Sequence, residues 1–295
     1  MLEKTQPTRR MDRMQPVRAL PPRRRSRLRG CCSIPVLLLF FVLLYFLAPF
    51  RTNILLLGTD DSPERGAIGR TDTIILTTIV PWRPYVGMLS IPRDLWVNVP
   101  GVGEQRINTA YFFAEANTPG SGASAALQTI RENFGVPVRY YAVAHMSGLT
   151  SVVDALGGID ITLDAPIGGY GTGTHHLNGE QALNFVRERS SSDDFSRMVR
   201  TQILLTTIFR KAIDPASWVS LPQFVYSITQ VIETNIPVWQ WPRLLFAFLR
   251  AFLFGIDAQT ITREMVTPFQ TSQGAQVLLP DWEAIAPVLT RMFGR

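Results

Sequence analysis

Carboxylates and guanidiniums recur in this chain at the ends of short apolar runs. Gly58-Thr59-Asp60-Asp61 follows one run, Arg70-Thr71-Asp72 opens the next, and Ser90-Ile91-Pro92-Arg93-Asp94 closes a third. Far downstream, Arg187, Arg189, Asp193, Asp194 and Arg197 crowd into one stretch. Acidic oxygens on neighbouring loops suit a hard divalent cation, and planar guanidinium forks match phosphate oxygens. Residues of these types describe a metal-assisted pyrophosphate site.

The elements that must position them alternate between strand and helix. Residues 53–58 (NILLLG), 72–80 (DTIILTTIV) and 85–91 (YVGMLSI) are short apolar or β-branched runs closed by Gly or Pro, the signature of strands. The loop from Thr59 to Thr71 leaves one strand and enters the next. If those strands are neighbours, Asp60 and Asp72 return to one rim of the sheet, where they can share a cation and repel each other without it. Arg93 stands just past the third strand, with Pro92 fixing the exit and Asp94 available to orient a partner.

Residues 124–134 and 147–156 then read as helical, and 139–145 and 158–163 as extended. Asn178 and Gln181 form the reciprocal pair of a helix start, so a helix is expected over about 179–187, ending at Arg187 and Arg189. A second helix is expected from Asp193 or Asp194, carrying Phe195, Met198, Ile203, Leu204 and Ile208 inward. Arg197 falls in its first turn, where the helix dipole already favours an anion. The alternation predicts an α/β fold with helices covering a central sheet.

Charge says where such a site works. The chain is formally +6. Residues 1–33 hold ten Lys/Arg against Glu3 and Asp12, so the remainder carries slightly more acid than base. A basic tail can mean nucleic acid, but this one runs into the uncharged stretch 34–50 (IPVLLLFFVLLYFLAPF). Seventeen residues in helix reach roughly 25 Å, near the lower limit for a membrane span. Bases before it and none inside it predict a single-pass signal-anchor, with residues 1–33 as a cytoplasmic tail and 51–295 as one extracytoplasmic domain. No A-x-A cleavage pattern follows the stretch. Cys31 and Cys32 precede it, so the outer domain has no cysteine and must be held by its core.

Taken in order, NILLLGTDD, RTDTIIL, SIPRDLWV, RINTAY (106–111), VDALGGIDI (153–161), LNGEQALNFVRER (177–189) and DDFSRMVRTQ (193–202) resemble the LytR-CpsA-Psr family of membrane-anchored bacterial envelope proteins, over about 53–211. The resemblance implies a central mixed sheet flanked by helices, preceded by one transmembrane helix. It also implies a phosphotransferase at the outer membrane face: a glycopolymer is taken from a polyprenyl-pyrophosphate carrier and joined, as a phosphodiester, to a peptidoglycan sugar hydroxyl. Asp60 and Asp72 match the family's ligands for Mg2+ or Mn2+. Arg93, Arg187, Arg189 and Arg197 match its pyrophosphate-binding arginines, with Asp194 an acid beside them. Arg93, Asp194 and Arg197 are then the expected catalytic residues, and Arg106 and Gln202 further pyrophosphate contacts. Two positions depart from the pattern: Arg106 stands where lysine is usual, and Thr201 where glutamine is usual, Gln202 being the next residue.

Physical chemistry supports the same roles. A transferring phosphoryl group gains little from protein nucleophiles and much from positioning and charge neutralisation. Asp194 or a cation-bound hydroxide can take the acceptor's proton. Two other readings use the same residues: a protein that binds lipid-linked glycan without transfer, and a pyrophosphatase that admits water in the acceptor's place. His175-His176 lacks a spaced set of further zinc ligands, and neither a nucleophile elbow nor a GxxxxGK loop occurs. The apolar stretch 239–256 is interrupted by Arg243 and Arg250. It reads as a core helix or one with its greasy face against the bilayer, a second span being the alternative.

Overall fold

The computed structural model describes residues 33–48, 50–60, 69–83, 85–188 and 194–294, with the backbone alone at positions that include 60, 70 and 194. Two compact units divide at Leu43/Leu44. In the first, the described residues belong to helix α1 (Ser33–Leu47), apolar on every side, whose residues from Ile34 to Leu44 are exposed. Among the described residues no helix is long and apolar enough to cross a membrane. The helix is shorter than the 34–50 stretch expected to span.

The second unit is built on a six-stranded mixed sheet. Three strands come first, β1 (Thr52–Asp60), β2 (Arg70–Val80) and β3 (Tyr85–Ser90), followed by a small hairpin of β4 (Trp96–Val99) and β5 (Gly103–Arg106). Helices α2 (Thr109–Asn117) and α3 (Gly122–Phe134) lead to β6 (Tyr140–His145) and α4 (Leu149–Ala155). A second hairpin, β7 (Ile159–Leu163) and β8 (Gly173–Leu177), precedes α5 (Gly179–Arg187) and the long α6 (Asp194–Ile213). The chain ends through α7 (Leu221–Val231), β9 (Ile232–Thr234), α8 (Trp241–Phe254), β10 (Ile256–Thr260), the hairpin β11 (Val266–Gln270) and β12 (Gln276–Pro280), and α9 (Trp282–Phe293). The order in the main sheet is β10-β3-β2-β1-β6-β9, with β10/β3 and β1/β6 parallel and the other pairs antiparallel.

Both faces of this sheet are covered, which is why its central strands are continuous apolar runs rather than alternating ones. Leu55, Leu57, Ile74, Leu76 and Leu89 point to one side and pack with Tyr111, Leu127, Ile130 and Phe134 of α2 and α3 and with Ile285, Leu289 and Met292 of α9. Ile54, Ile75, Ile79, Val86 and Met88 point to the other and meet Ala247 of α8. Each such fully buried aliphatic side chain contributes about 1.5 to 3 kcal/mol. A third cluster joins β7 and β8 to α4, α5, α6 and α7 through Val153, Ile159, Leu177, Phe185, Leu204 and Ile208.

Two local devices place the site. The expected helix start at Asn178 is present: its side chain accepts from Gln181 N, and the Gln181 side chain accepts from Asn178 N, both at 2.9 Å. Gly179 lets this end of α5 abut α4, since a Cβ there would lie 2.3 Å from the Thr150 carbonyl oxygen. On the sheet, β1 and β2 pair through Gly58 opposite Thr73 and Thr59 opposite Thr71, leaving Asp72 without an opposite residue. That is a β-bulge, a device that bends a strand and re-aims one side chain.

Candidate active site

The bulge and the turn after β3 bring the acidic and basic motifs together at one end of the sheet. Arg93 Nη1 donates to Asp72 Oδ1 at 2.9 Å, and Arg197 Nη1, from the first turn of α6, stands 4.0 Å from Asp72 Oδ2. On the other side of Arg93, its Nε lies 3.5 Å from Asp94 Oδ2, and Asp94 Oδ1 lies 3.3 Å from Arg106 Nε. The five side chains form a line of alternating sign, Arg106–Asp94–Arg93–Asp72–Arg197, with one net positive charge. Asp72 is buried, its side chain 8% exposed, whereas Arg93 and Arg106 are about a third open to solvent. The line therefore presents guanidinium edges from a fixed base of carboxylates.

Backbone contacts hold this line rigidly. Arg93 O accepts from Asn108 N at 3.3 Å and Asp94 O from Leu278 N at 3.0 Å. Asn108 O in turn accepts from Thr71 Oγ1 at 3.3 Å, and Arg106 Nη2 donates to Gln276 O at 2.7 Å. The RINTAY segment is thus the joint that locks the Asp72 strand to the Arg93 turn and to the β11/β12 hairpin. Arg106 lies at the far end of the line from Asp72 and serves its geometry through Asp94.

Asp60 ends β1 beside the start of β2, with its backbone opposite Arg70, so the two expected cation ligands sit at the same end of neighbouring strands. The side chains of Asp60 and Asp194, and all of Arg189, lie outside the described residues. Asp194 begins α6 three residues before Arg197, and Arg187 closes α5. The hydroxyl of Thr59, one residue before Asp60, lies 3.1 Å from His145 Nδ1 at the end of β6.

A cation of the Mg2+ or Mn2+ type fits these donors. Asp72 offers carboxylate oxygens, the strand ends carry threonine hydroxyls, and such ions are held by one or two carboxylates together with substrate phosphate oxygens. Among the described residues no three His, Cys, Asp or Glu side chains are grouped to hold a metal unaided. His175 Nε2 instead lies 2.8 Å from the Gly171 carbonyl oxygen, and His176 Nδ1 lies 2.7 Å from Asp160 Oδ1.

Gln202 ties α6 to the sheet, its Nε2 donating at 2.8 Å both to Ser90 Oγ on β3 and to Gln259 O on β10. To bind a phosphate through that nitrogen it must give up one of these bonds. Thr201 Oγ1 donates to Arg197 O at 2.9 Å and so supports the arginine's own turn. Asp72, Arg197 and Thr201 also line, with Ile74, Ile75 and Met198, a gap of about 10 Å³, room for one water at most. A larger open cleft of about 320 Å³ lies at Asp160, Thr206, Arg210 and Lys211 and shares none of these residues.

One participant escaped the sequence reading. Arg200 is fully buried; its Nη2 donates to Glu188 O at 2.6 Å, while its Nε and Nη1 have no hydrogen-bond partner among the described residues. Burial lowers its pKa; Glu188 opposes that shift and Arg197 adds to it. Gly168, at φ +61°, makes room for it: a Cβ there would lie 2.9 Å from Arg200 Cδ. Arg200 thereby links the end of α5, where Arg187 stands, to the helix that carries Arg197. Its position three residues after Arg197 was the available signal, because that spacing returns a side chain to the same helical face.

The model of the LytR_cpsA_psr family matches residues 49–292. A protein of Oceanobacillus iheyensis named polyisoprenyl-teichoic acid--peptidoglycan teichoic acid transferase TagU is 34% identical over 199 residues, which are 65% of this chain and 61% of that one. The chain thus spans less than two thirds of the length of the curated relatives it matches. Among solved structures, protein gbs0355 from Streptococcus agalactiae superposes with a TM-score of 0.67 at 26% identity, covering 83% of this chain and 88% of the other. B. subtilis TagV shares the fold with a TM-score of 0.66 at 23% identity, covering 83% and 98%. A family match over most of the chain, on the residues that build the charged line, makes this protein a member of the LytR_cpsA_psr family.

Proposed function

We propose that this chain is a phosphotransferase that moves a glycopolymer from a polyprenyl-pyrophosphate carrier onto a sugar hydroxyl of peptidoglycan. The observation that carries this reading is the line Arg106–Asp94–Arg93–Asp72–Arg197, three guanidiniums held beside two carboxylates at one end of the sheet. The relative in Oceanobacillus iheyensis is named for teichoic acid transfer to peptidoglycan, which supports the same donor and acceptor classes here.

In the reaction the acceptor oxygen attacks the phosphorus that bears the glycan. A new P–O bond forms, the bond to the bridging oxygen breaks, and polyprenyl phosphate leaves. Arg93 and Arg197 take the pyrophosphate oxygens in their forks, and their charge counts most when negative charge moves onto the leaving phosphate. The N-terminus of α6 adds its positive dipole end to Arg197. Arg187 and Arg189 supply the second pair of forks. Asp194 takes the acceptor's proton. Asp60 and Asp72 would hold Mg2+ or Mn2+, which supplies further neutralisation of the pyrophosphate.

The chain works at a membrane in this reading. Helix α1 is apolar all round and exposed, the pattern of a segment that belongs in lipid, and the ten bases before it keep residues 1–33 in the cytoplasm. The second unit then faces outward. Incubating the protein with lipid-linked oligosaccharide, peptidoglycan fragments and Mg2+, with products read by mass, tests the function. Joined glycan supports transfer, free sugar phosphate would make the protein a pyrophosphatase, and no turnover with donor bound would leave a binding protein.

A further inference from the structure

Apolar side chains cluster on one outer surface of the second unit. Helix α8 buries Arg243 and Ala247 and exposes Trp241, Leu245 and Leu249, spaced four apart and therefore on one stripe. The turn before it exposes Val238 and Trp239, the latter 62% open and Leu245 58%. Hydrogen bonds extend this surface at both ends. Arg250 Nη1 donates to Pro81 O at 3.0 Å, which fixes the turn carrying the exposed Trp82 and Arg83 beside α8. Buried Arg243 donates through Nη2 to Ala48 O at 3.0 Å and Phe50 O at 2.9 Å, and its guanidinium lies 5.8 Å from the exposed Phe50 ring.

The last turn of α1, from Leu44 onward, is held to the same surface. The Tyr45 hydroxyl donates to Trp239 O, and the Phe46 and Phe246 rings meet edge to face at 5.1 Å. Residues 45–50 thus lie against Trp239, Arg243 and Phe246.

We propose that this surface, Phe50, Trp82, Trp239, Trp241, Leu245 and Leu249, is seated in the headgroup layer of a lipid bilayer. Three observations select lipid over a second protein. The surface is continuous with the end of an apolar helix. Three of its six members are tryptophans, whose amphipathic rings favour the membrane interface. Neither residues 238–254 nor the turn 81–83 carries an acid, while Arg83 is exposed and Arg250 half-buried, so the charge at this surface complements anionic lipids. The seat rests on the reading of α1 as a membrane anchor. It fixes which side of the domain faces the membrane and so where a lipid-linked donor enters.

The test uses the full chain reconstituted in vesicles of phosphatidylglycerol and phosphatidylethanolamine, part of the phosphatidylglycerol brominated high on its acyl chains. Flotation reports the anchor, and quenching of tryptophan fluorescence reports the seat. The expected result is a chain that floats and is quenched, with most of the quenching lost in Trp82→Phe/Trp239→Phe/Trp241→Phe, since Trp96, Trp218 and Trp282 lie elsewhere. Trp82 and Trp239 are exposed, and at Trp241 the exchange gives up one hydrogen bond, from Nε1 to Ile236 O. Leu245→Glu/Leu249→Glu is expected to float and to lose quenching too. Flotation with equal quenching in wild type and the triple variant would overturn the seat alone, and failure to float would overturn the anchor and the seat together. A dimer in detergent that Leu245→Glu/Leu249→Glu dissolves would give the surface to a second copy and also overturn the proposal.

Discussion

Arg93 and Asp72 form the tightest contact of the charged line, 2.9 Å from Nη1 to Oδ1, and they reach it from two strands on opposite terms. Asp72 is thrown out of register by the bulge in β2, while Arg93 follows a regular strand end and is pinned by Asn108 N. A carboxylate expected from the sequence to wait at the rim for a cation is thus already engaged by an arginine. It orients that arginine, and a cation at Asp72 would have to share its oxygens with Arg93.

Asp72→Asn separates those roles. The amide keeps the size but loses the charge-assisted bond to Arg93, so stability should fall by about 1 to 2 kcal/mol, the pair being partly solvated. Repulsion between Asp60 and Asp72 as the dominant effect would instead raise stability. Transfer should be lost far beyond what the stability change explains, because both the metal ligand and the Arg93 geometry go. Chemical denaturation and product formation on the same preparation check this; unchanged transfer would remove Asp72 from the site.

Arg200 should act on the reaction without touching substrate. Arg200→Met fills the same volume without a buried charge and relieves two unpartnered donors, so stability should stay within about 1 kcal/mol of wild type. The Glu188 carbonyl loses its tether, so the end of α5 shifts against α6. KM for the lipid-linked donor should rise more than kcat falls. Unchanged steady-state constants would make Arg200 a packing residue only.

Tyr85 should steepen the alkaline fall in stability. Its hydroxyl donates to Asp257 Oδ2 at 2.8 Å, and burial first, then Asp257, hold its pKa well above the ordinary value of 10.0. Below that ordinary value the phenol is neutral in both folded and unfolded chains, and its contribution is complete. As pH rises above it the unfolded chain ionises first, so stability drains away until the folded phenol ionises as well. Tyr85→Phe should therefore flatten the fall in stability above about pH 10 while costing about 1 kcal/mol at neutral pH through the lost hydrogen bond. Urea denaturation across that range reads both; an unchanged alkaline slope would show that Tyr85 does not govern it.

How much of this was legible in the sequence follows from which interactions are local. The three central strands were, because burial on both faces leaves NILLL and TIIL as uninterrupted apolar runs. The start of α5 was, because Asn178 and Gln181 need only each other. Placement of β10 beside β3 was not: Ile256-Asp-Ala-Gln-Thr260 is a short, polar edge strand whose pairing partner is about 170 residues away. Nor was the β4/β5 hairpin, too brief for periodicity to register. At the site, the residue types at the strand and helix ends marked Asp72, Arg93 and Arg197, which the fold brings together. The Asp72 bulge, the Asp94 link to Arg106 and the engagement of Gln202 with Ser90 depend on contacts between distant segments.

The forks of Arg93 and Arg197 should matter most during turnover. Arg93→Lys and Arg197→Lys each keep a positive charge beside Asp72 but replace a planar fork by a point charge, with an expected cost of about 1 to 3 kcal/mol in charge-assisted hydrogen bonding. Arg93 also bridges two carboxylates through Nη1 and Nε, a geometry lysine cannot reproduce with one nitrogen, so its exchange should disturb Asp94 and Arg106 as well. Arg197 stands 4.0 Å from Asp72, is supported by Thr201 from within its own helix, and lies at the helix N-terminus. Its loss should be confined to substrate contacts. Where charge moves toward the leaving phosphate, part of each fork's contribution exists only in the transition state, so single-turnover transfer should fall more than donor affinity. Arg93→Lys should in addition lose stability, and Arg197→Lys should not. Equal losses of affinity and rate in both variants would mean that the arginines bind the donor without assisting its cleavage, and no loss of either would place the pyrophosphate elsewhere.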